Sequence, residues 1–270
     1  MRRIDGSKLA ILYHICNDPF QEENYFAACR RGRNGEPSMK SFLLRHFDRL
    51  TLRAARQSLR FLRGYDFDVI VIAKLRAAFD SAAYYETHLI HARTMQSDLE
   101  LLSHAISLAP SDGLILEFGV ASGRTIRHLA EGVGDRIVFG FDSFKGLPEN
   151  WWSGYEKGHF SQKKPEVPEN VHLIEGFFSE TLPPFLAMHG GSVALLHVDC
   201  DLYSSTKTIF TLLAERIVSG TVIVFDEYWN YPGWQQHEHR AFQEFLEKGH
   251  RSCEYKAFVP SHQQVCAIIQ

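Results

Sequence analysis

The stretch LILEFGVASGRTIRHLA, Leu114–Ala130, decides the fold class of this 270-residue chain. It begins with a short apolar run, passes through Glu117, Gly119 and Gly123, and continues as a helical pattern from about Arg124. A strand, a glycine-containing turn and a helix in this order are typical of a parallel α/β sheet. The glycines let the backbone approach a ligand closely, and the free N–H groups at the start of the helix can receive a carboxylate.

Further apolar runs follow this stretch, and each precedes a loop or a helix. They predict strands at about 137–141, 171–174, 193–198, 221–225, 253–259 and 264–269. The last two are separated by a short Pro-Ser-His turn and can pair as an antiparallel hairpin. This rhythm predicts an α/β fold in which a mostly parallel sheet is wound with helices.

The bulk composition is that of a globular protein, with 45% hydrophobic and 23% charged residues. Five scattered cysteines without a C-x-x-C pair indicate neither a disulfide framework nor a zinc cluster. The apolar runs are far shorter than the roughly 20 residues that cross a bilayer, and the N-terminal segment lacks a signal-peptide pattern. We therefore expect a cytoplasmic protein.

The first third of the chain differs in charge from the rest. Residues 1–85 contain 15 Lys and Arg against 9 Asp and Glu, whereas residues 86–270 contain 14 against 23. A helix predicted at about 37–63 carries arginines on one face, which is either a solvated surface or a contact for anionic lipid, an acidic partner subunit or a polyanionic acceptor. This Arg-striped helix near residues 40–63 contains Arg45, Arg49, Arg53, Arg56, Arg60 and Arg63. We expect a basic, helical N-terminal extension at residues 1–90.

Ligands of open α/β sheets bind outside the carboxyl ends of the strands. The E-x-G-x-x-x-G spacing at Glu117 differs from the dinucleotide G-x-G-x-x-G pattern and indicates S-adenosylmethionine (SAM); a turn without a ligand is the alternative. Asp142, about 25 residues later, can accept both ribose hydroxyls. Gly176 leaves room for an adenine ring, and Phe177 either lies against that ring or belongs to the core.

Two later strands end in acids. HVDCDLYSST supplies Asp199 and Asp201, and FDEYWN supplies Asp226 and Glu227. Neighbouring strands would bring these carboxylates together, where they repel one another unless a divalent cation is present. Oxygen donors suit Mg²⁺, Ca²⁺ or Mn²⁺ rather than zinc. The alternative is that Asp201 caps the helix near Tyr203 and Glu227 points to solvent.

Residues 143–170 form a long stretch without a convincing helix or strand, which is typical of a lid or a binding loop. This segment and the loop after Asp226 both lie on the ligand side of the sheet. Their aromatic residues either wall an acceptor pocket or anchor the loops to the core. These residues are Trp151, Trp152, Tyr155, Phe160, Trp229 and Trp234.

Four motifs, GFDSFKGLPENW, GFFSETLP, LLHVDCDLYSSTKT and GTVIVFDEYWNYPGW, resemble the class I SAM-dependent methyltransferases related to macrocin and mycinamicin sugar O-methyltransferases. The resemblance covers about residues 95–270 and implies a Rossmann-like, seven-stranded sheet with an antiparallel last strand. It implies a SAM-dependent methyltransferase domain at residues 91–270. The SAM-binding residues would be Glu117, Gly119, Ala121, Ser122, Gly123, Thr125, Asp142, Ser143, Gly176, Phe177 and Asp199.

The resemblance also implies Mg²⁺ held by Asp199, Asp226 and Glu227, although the family commonly has an Asp-Asp pair where this chain has Asp-Glu. The longer Glu227 side chain either ligates the ion or stands back from it. The expected activity is O-methylation of a hydroxyl on a sugar, polyol or phenol, with Asp199, His159 or His237 accepting the proton.

Two other functions compete with this expectation. One is a non-catalytic SAM-fold binding module that associates with an anionic partner or a membrane surface through the Arg-striped helix. The other is a nicotinamide-dependent dehydrogenase, which the glycine spacing disfavours. For partners, we expect a small-molecule acceptor, no nucleic acid, and a homo-oligomer as an open alternative.

Overall fold

The computed structural model describes residues 68–152 and 154–270. The Arg-striped helix, and with it the predicted contact with an anionic surface or an acidic partner, lies outside the described residues. The described residues belong to one compact unit. A domain boundary near residue 90 stays a prediction.

A single mixed sheet organises this unit. Its strands are β1 (Arg93–Thr94), β2 (Leu114–Phe118), β3 (Val138–Asp142), β4 (Val171–Glu175), β5 (Val193–Val198), β6 (Val222–Phe225), β7 (Cys253–Phe258) and β8 (Val265–Ile269). Their order across the sheet is β1-β7-β8-β6-β5-β2-β3-β4. Only β8 runs antiparallel to its neighbours, pairing with β7 and with β6. This confirms the predicted Rossmann-like, mostly parallel sheet with an antiparallel C-terminal hairpin.

The sheet has one strand more than the seven expected. Strand β1 contributes only Arg93 and Thr94, which pair in parallel with Ala257 and Phe258 of β7. Both β1 residues face solvent to a large extent, so no apolar run marks this strand in the sequence.

Six α-helices surround the sheet in the described residues. They are α1 (Val69–Tyr84), α2 (Asp98–Leu108), α3 (Arg124–Gly132), α4 (Phe178–Met188), α5 (Tyr203–Leu212) and α6 (Glu238–Gly249). A short π-helical turn follows α1 at Tyr85–Leu89, and a 3-10 turn precedes α6 at Trp234–Gln236. Asp68 caps α1 and Ser97 caps α2, because each side chain accepts a hydrogen bond from a backbone N–H of the first turn.

The central strands are apolar because helices cover both faces of the sheet. All six residues of β5 and all four of β6 are buried. Alternate residues belong to two separate core clusters, with Leu195 and Val222 on one face and Leu196 and Ile223 on the other. The register pairs Val198 with Phe225, so the acids that follow β5 and β6 emerge side by side.

Helix α1 precedes the predicted boundary at residue 90 and still packs on the sheet unit. The Ser81 hydroxyl accepts a hydrogen bond from the backbone N–H of Asn230 at 2.9 Å. The hydroxyl of Tyr84 lies 2.6 Å from that of Tyr255 and 3.2 Å from that of Tyr228. These contacts attach α1 to the C-terminal half of the sheet.

Within the described part of the chain, no helix combines the length and the apolar character that a membrane crossing requires. The cytoplasmic location and the homo-oligomer stay predictions.

Gly140 in β3 offers a test of the packing between the sheet and α3. A Cβ atom at Gly140 would overlap Ile126 of α3 and lie 2.8 Å from Val120. We expect Gly140→Ala to lower the free energy of unfolding by about 1–3 kcal/mol, because the side chains of Ile126 and Val120 must move within a packed core. Gly190 has no neighbouring atom within 4 Å of its Cβ position, so Gly190→Ala should change stability by less than about 0.5 kcal/mol. Urea denaturation of both variants measures the difference; equal stabilities would contradict the packing described here.

Candidate active site

A cavity of about 580 Å³ lies at the carboxyl ends of the parallel strands. Its walls come from the turns after β2, β3, β4, β5 and β6, from the first turn of α5 and from the long loop at residues 143–170. Eight predicted site residues line it: Gly119, Ala121, Asp142, Ser143, Gly176, Phe177, Asp199 and Glu227. The position is the one that ligands take in open α/β sheets.

The turn after β2 approaches the end of β5 closely. Gly119 has a φ of +92°, and a Cβ atom there would overlap the backbone carbonyl of Asp199. Only glycine combines this backbone conformation with the absence of a side chain. Gly123, with a φ of +78°, precedes α3, so the N-terminal end of that helix faces the turn. Ser122 and Gly123 do not line the cavity directly.

Asp142 fixes the shape of this glycine turn. Its Oδ2 accepts hydrogen bonds from the backbone N–H groups of Val120 at 2.9 Å and Ala121 at 2.8 Å. Its Oδ1 accepts one from the N–H of Phe144 at 2.7 Å. The sequence predicts a carboxylate for the ribose at this position; the structure adds a second role, which is to hold the turn.

Glu117 and Thr125, two of the predicted SAM-binding residues, lie beneath the cavity. Glu117 has no exposed surface, and its carboxylate pairs with Nδ1 of His197 at 2.9 Å and accepts a hydrogen bond from the Thr125 hydroxyl at 3.1 Å. Burial raises the pKa of Glu117 despite the opposing effect of His197. Burial lowers the pKa of His197, but the hydrogen bond and the charge of Glu117, together with the charges of Asp226 and Asp98, raise that pKa overall. The Glu117–His197 pair therefore joins β2 to β5 beneath the glycine turn.

A group of metal-binding type is present at the ends of β5 and β6. His197, Asp199 and Asp226 each offer one donor atom, and in the described residues these atoms lie within 4.8 Å of one another. His197 is a donor that the sequence analysis missed, because a histidine inside an apolar strand resembles a core residue. Glu227 is not in this group but lines the same cavity.

The electrostatics of these acids favour a cation. Burial raises the pKa of Asp199 well above its usual value, and the charge of Asp226 raises it further. Burial and Asp226 have the same effect on Glu227. Oε2 of Glu227 is buried and has no hydrogen-bond partner among the described residues. Carboxylate oxygens without partners fit a divalent cation of the Mg²⁺ or Mn²⁺ type.

Asp201 and Glu238 extend the acidic wall behind Glu227. Asp201 is nearly buried and has a positive φ of +63°, and burial together with Asp226 raises its pKa to about 7. It does not cap α5, whose N-cap is Leu202 without a side-chain hydrogen bond. Glu238 is fully buried at the start of α6. The sequence offers no signal for Glu238, since an acid in the first turn of a helix is common.

The two candidate catalytic histidines lie away from the cavity. His159 is exposed and packs against Tyr155 and Phe160, with ring centroids 4.8 and 4.4 Å apart. His237 packs against Trp151 and Tyr231 at 6.0 and 6.1 Å, and burial lowers its pKa. Neither lines the cavity, whereas Asp199 does.

The long loop forms one wall of the cavity, as expected. Its described residues contain no helix or strand, and Gly146, Leu147, Lys157 and Phe160 line the cavity. The Ser204 hydroxyl of α5 donates a hydrogen bond to Glu149 at 2.6 Å, which ties the loop to the sheet unit.

The other predicted wall residues have different surroundings. Trp229 and Trp234 are buried in the core, and Trp152 and Tyr155 stack on each other at 5.4 Å, with Trp151 beside them. They anchor the loops, which is the alternative considered from the sequence.

Comparison with known proteins places this geometry in context. Residues 116–228 match the family described as "Methyltransferase domain". A curated relative, demethyldecarbamoylnovobiocin O-methyltransferase of Streptomyces niveus, is 28% identical over 123 residues, which cover 38% of this chain and 46% of the relative. The match thus spans about half the length of that relative.

Solved structures show the same fold. The calicheamicin methyltransferase CalS11 superimposes with a TM-score of 0.52 and 24% identity, covering 63% of this chain and 76% of CalS11. The O-methyltransferase NovP superimposes with a TM-score of 0.50 and 22% identity, covering 63% of this chain and 78% of NovP. The matched span begins in β2 and ends just after β6, and it therefore contains the glycine turn and all four acids that follow β5 and β6. Residues 116–228 therefore match a methyltransferase domain over the segment that carries the site, in agreement with the resemblance of the motifs.

Proposed function

We propose that this chain is a SAM-dependent O-methyltransferase that transfers a methyl group to a hydroxyl of a small molecule, namely a sugar moiety, polyol or phenol of a natural product or glycan. One observation carries the proposal: a single cavity is lined both by the glycine turn with Asp142 and by the acids Asp199 and Glu227. The relative from Streptomyces niveus is an O-methyltransferase, which supports the choice of a hydroxyl acceptor.

In this proposal the methyl donor lies along the turns after β2, β3 and β4. Gly119 and Ala121 border its amino-acid end, Asp142 and Ser143 face its ribose, and Gly176 and Phe177 border its base. Phe177 is 36% exposed, which leaves its ring available for stacking. Glu117 and Thr125 lie beneath the turn and are joined by a hydrogen bond, and Ser122 and Gly123 complete the turn before α3.

The acceptor hydroxyl would lie against the acids of β5 and β6. When bound, SAM supplies a methyl group on a sulfonium, and a divalent cation lowers the pKa of the hydroxyl that attacks it. Asp199 lines the cavity, so its carboxylate is placed to accept the hydroxyl proton. Lys157, Ser204 and Thr208 border the same space and can orient a polar acceptor.

The cation would be held by Asp199, Asp226 and Glu227, with His197 as a further donor. The unpartnered Oε2 of Glu227 supports this assignment, because a buried carboxylate oxygen without a partner is costly. The Glu117 carboxylate at Nδ1 orients the His197 ring in the way that acids orient metal-binding histidines.

Calorimetric titration with SAM tests the donor site. We expect the wild-type chain to bind SAM and Asp142→Ala to weaken binding by at least about tenfold, since three backbone N–H groups lose their acceptor. Glu175→Ala is the matched control, because Glu175 ends the neighbouring strand in register with Asp142, is exposed and does not line the cavity. Absence of SAM binding to the wild-type chain, or equal affinities of all three proteins, would refute the proposal.

Metal depletion tests the acceptor side. Chelator-treated protein is assayed with SAM against a panel of sugar and catechol acceptors, with and without added Mg²⁺. We expect methyl transfer to return only with Mg²⁺, Glu227→Gln to reduce this activation by about tenfold or more, and Glu227→Asp to retain it. Full activity after chelation would remove the metal from the proposal and leave the methyl transfer in place.

A further inference from the structure

A carboxylate that no sequence motif marks connects the two acid-bearing strand ends. Glu238 begins α6 and has no exposed surface. Its Oε1 accepts a hydrogen bond from the backbone N–H of Cys200 at 3.3 Å, and its Oε2 accepts one from the N–H of Glu227 at 3.2 Å. Cys200 lies between the two acids that follow β5, and Glu227 is one of the two that follow β6. One side chain therefore bridges both turns.

The bridge begins where the ladder between β5 and β6 ends. The backbone N–H of Asp226 donates to the carbonyl of Val198 at 2.9 Å, one residue past the last register pair. Beyond this bond each strand end presents an N–H group to Glu238 instead of to the other strand. Buried N–H groups need acceptors, and the Glu238 carboxylate supplies them where the hydrogen bonds between β5 and β6 end.

The surroundings of Glu238 do not favour a carboxylate that only fills space in the core. The carboxylate is buried among Asp201, Asp226 and Glu227, and in the described part of the chain it forms no ion pair with Lys, Arg or His. A neutral side chain would avoid this repulsion. Two hydrogen bonds to backbone N–H groups are what the glutamate offers in return, and both its oxygens are used.

We propose that Glu238 is a positioning residue that sets the separation between the turn after β5 and the turn after β6, and thereby the spacing of the carboxylates that face the cavity. Glu238 itself does not line the cavity. The hydrogen-bonding role stands on the contacts alone, whereas its consequence for cation binding rests on the proposed function.

Two substitutions at Glu238 separate the number of its acceptor oxygens from the length of its side chain. Glu238→Gln keeps the length but replaces one acceptor with an NH₂ group, which faces a backbone N–H and cannot accept from it. Glu238→Asp keeps both acceptors and the charge but shortens the side chain by one methylene, so it cannot reach both N–H groups. Glu244→Gln is the matched control on the same helix, where Glu244 pairs with Lys207 and Arg240 at the surface.

The experiment measures amide hydrogen exchange by NMR, SAM affinity by calorimetry and Mn²⁺ affinity by electron paramagnetic resonance on the full chain. For Glu238→Gln and Glu238→Asp we expect faster exchange at Cys200 or Glu227, unchanged exchange at Val224, and Mn²⁺ affinity reduced about 10- to 100-fold, the range for residues that orient metal ligands. SAM affinity should stay within about twofold, because the donor side is not touched. Glu244→Gln should match the wild type in every measurement.

Wild-type exchange rates and Mn²⁺ affinity in both Glu238 variants would overturn the inference. So would a parallel loss of SAM and Mn²⁺ binding in a variant that still folds, because that result indicates general collapse of the site. Free exchange of the Cys200 and Glu227 amides in the wild type would also overturn it and needs no variant. If the wild type binds SAM but no Mn²⁺, the metal part of the proposed function fails, and the exchange rates alone decide the role of Glu238.

Discussion

The close approach of the glycine turn to the end of β5 is the constraint on which the site depends. With no side chain at Gly119, the turn after β2 lies against the backbone of Asp199, so the donor wall and the acid wall share one cavity. Asp142 holds the turn in place from the next strand with hydrogen bonds to two of its N–H groups. Any side chain at Gly119 would push these walls apart and separate the ligand positions that methyl transfer needs to bring together.

The second constraint is charge. Five carboxyl groups, those of Asp199, Asp201, Asp226, Glu227 and Glu238, occupy the ends of β5 and β6 and the start of α6. Burial raises the pKa of four of them, and mutual repulsion adds to the effect. Such a cluster either holds a cation or retains protons. The hydrogen bond with Asp98 raises the pKa of Arg124 at the start of α3, and the charges of Asp226 and Asp199 raise it further.

Much of this architecture follows from sequence patterns. Covered parallel strands are continuous apolar runs, and β5 and β6 were therefore predictable together with the acids that end them. The glycine spacing predicted the turn, and the order of motifs predicted the family. These features are local in sequence, because each depends on the type and spacing of neighbouring residues.

The features that sequence reasoning missed depend on contacts between distant segments. His197 is identified as a donor only by its position beside Asp226, and Glu117 as a brace only by its bond to His197, which is 80 residues away in sequence. The two histidines chosen as bases carry the right chemistry, but the loop and the 3-10 turn place them among aromatic rings outside the cavity. Strand β1 is too short and too exposed to produce a pattern.

Glu227 is also positioned by a contact with a residue outside its own strand end, Glu238 at the start of α6. Its N–H is bound to Glu238, so its backbone is fixed behind the cavity while its carboxylate reaches forward with one methylene more than an aspartate has. The Oε2 atom at the end of that reach is buried without a partner. In the proposed function, a divalent cation held by the Asp-Glu pair would be the partner that this oxygen lacks.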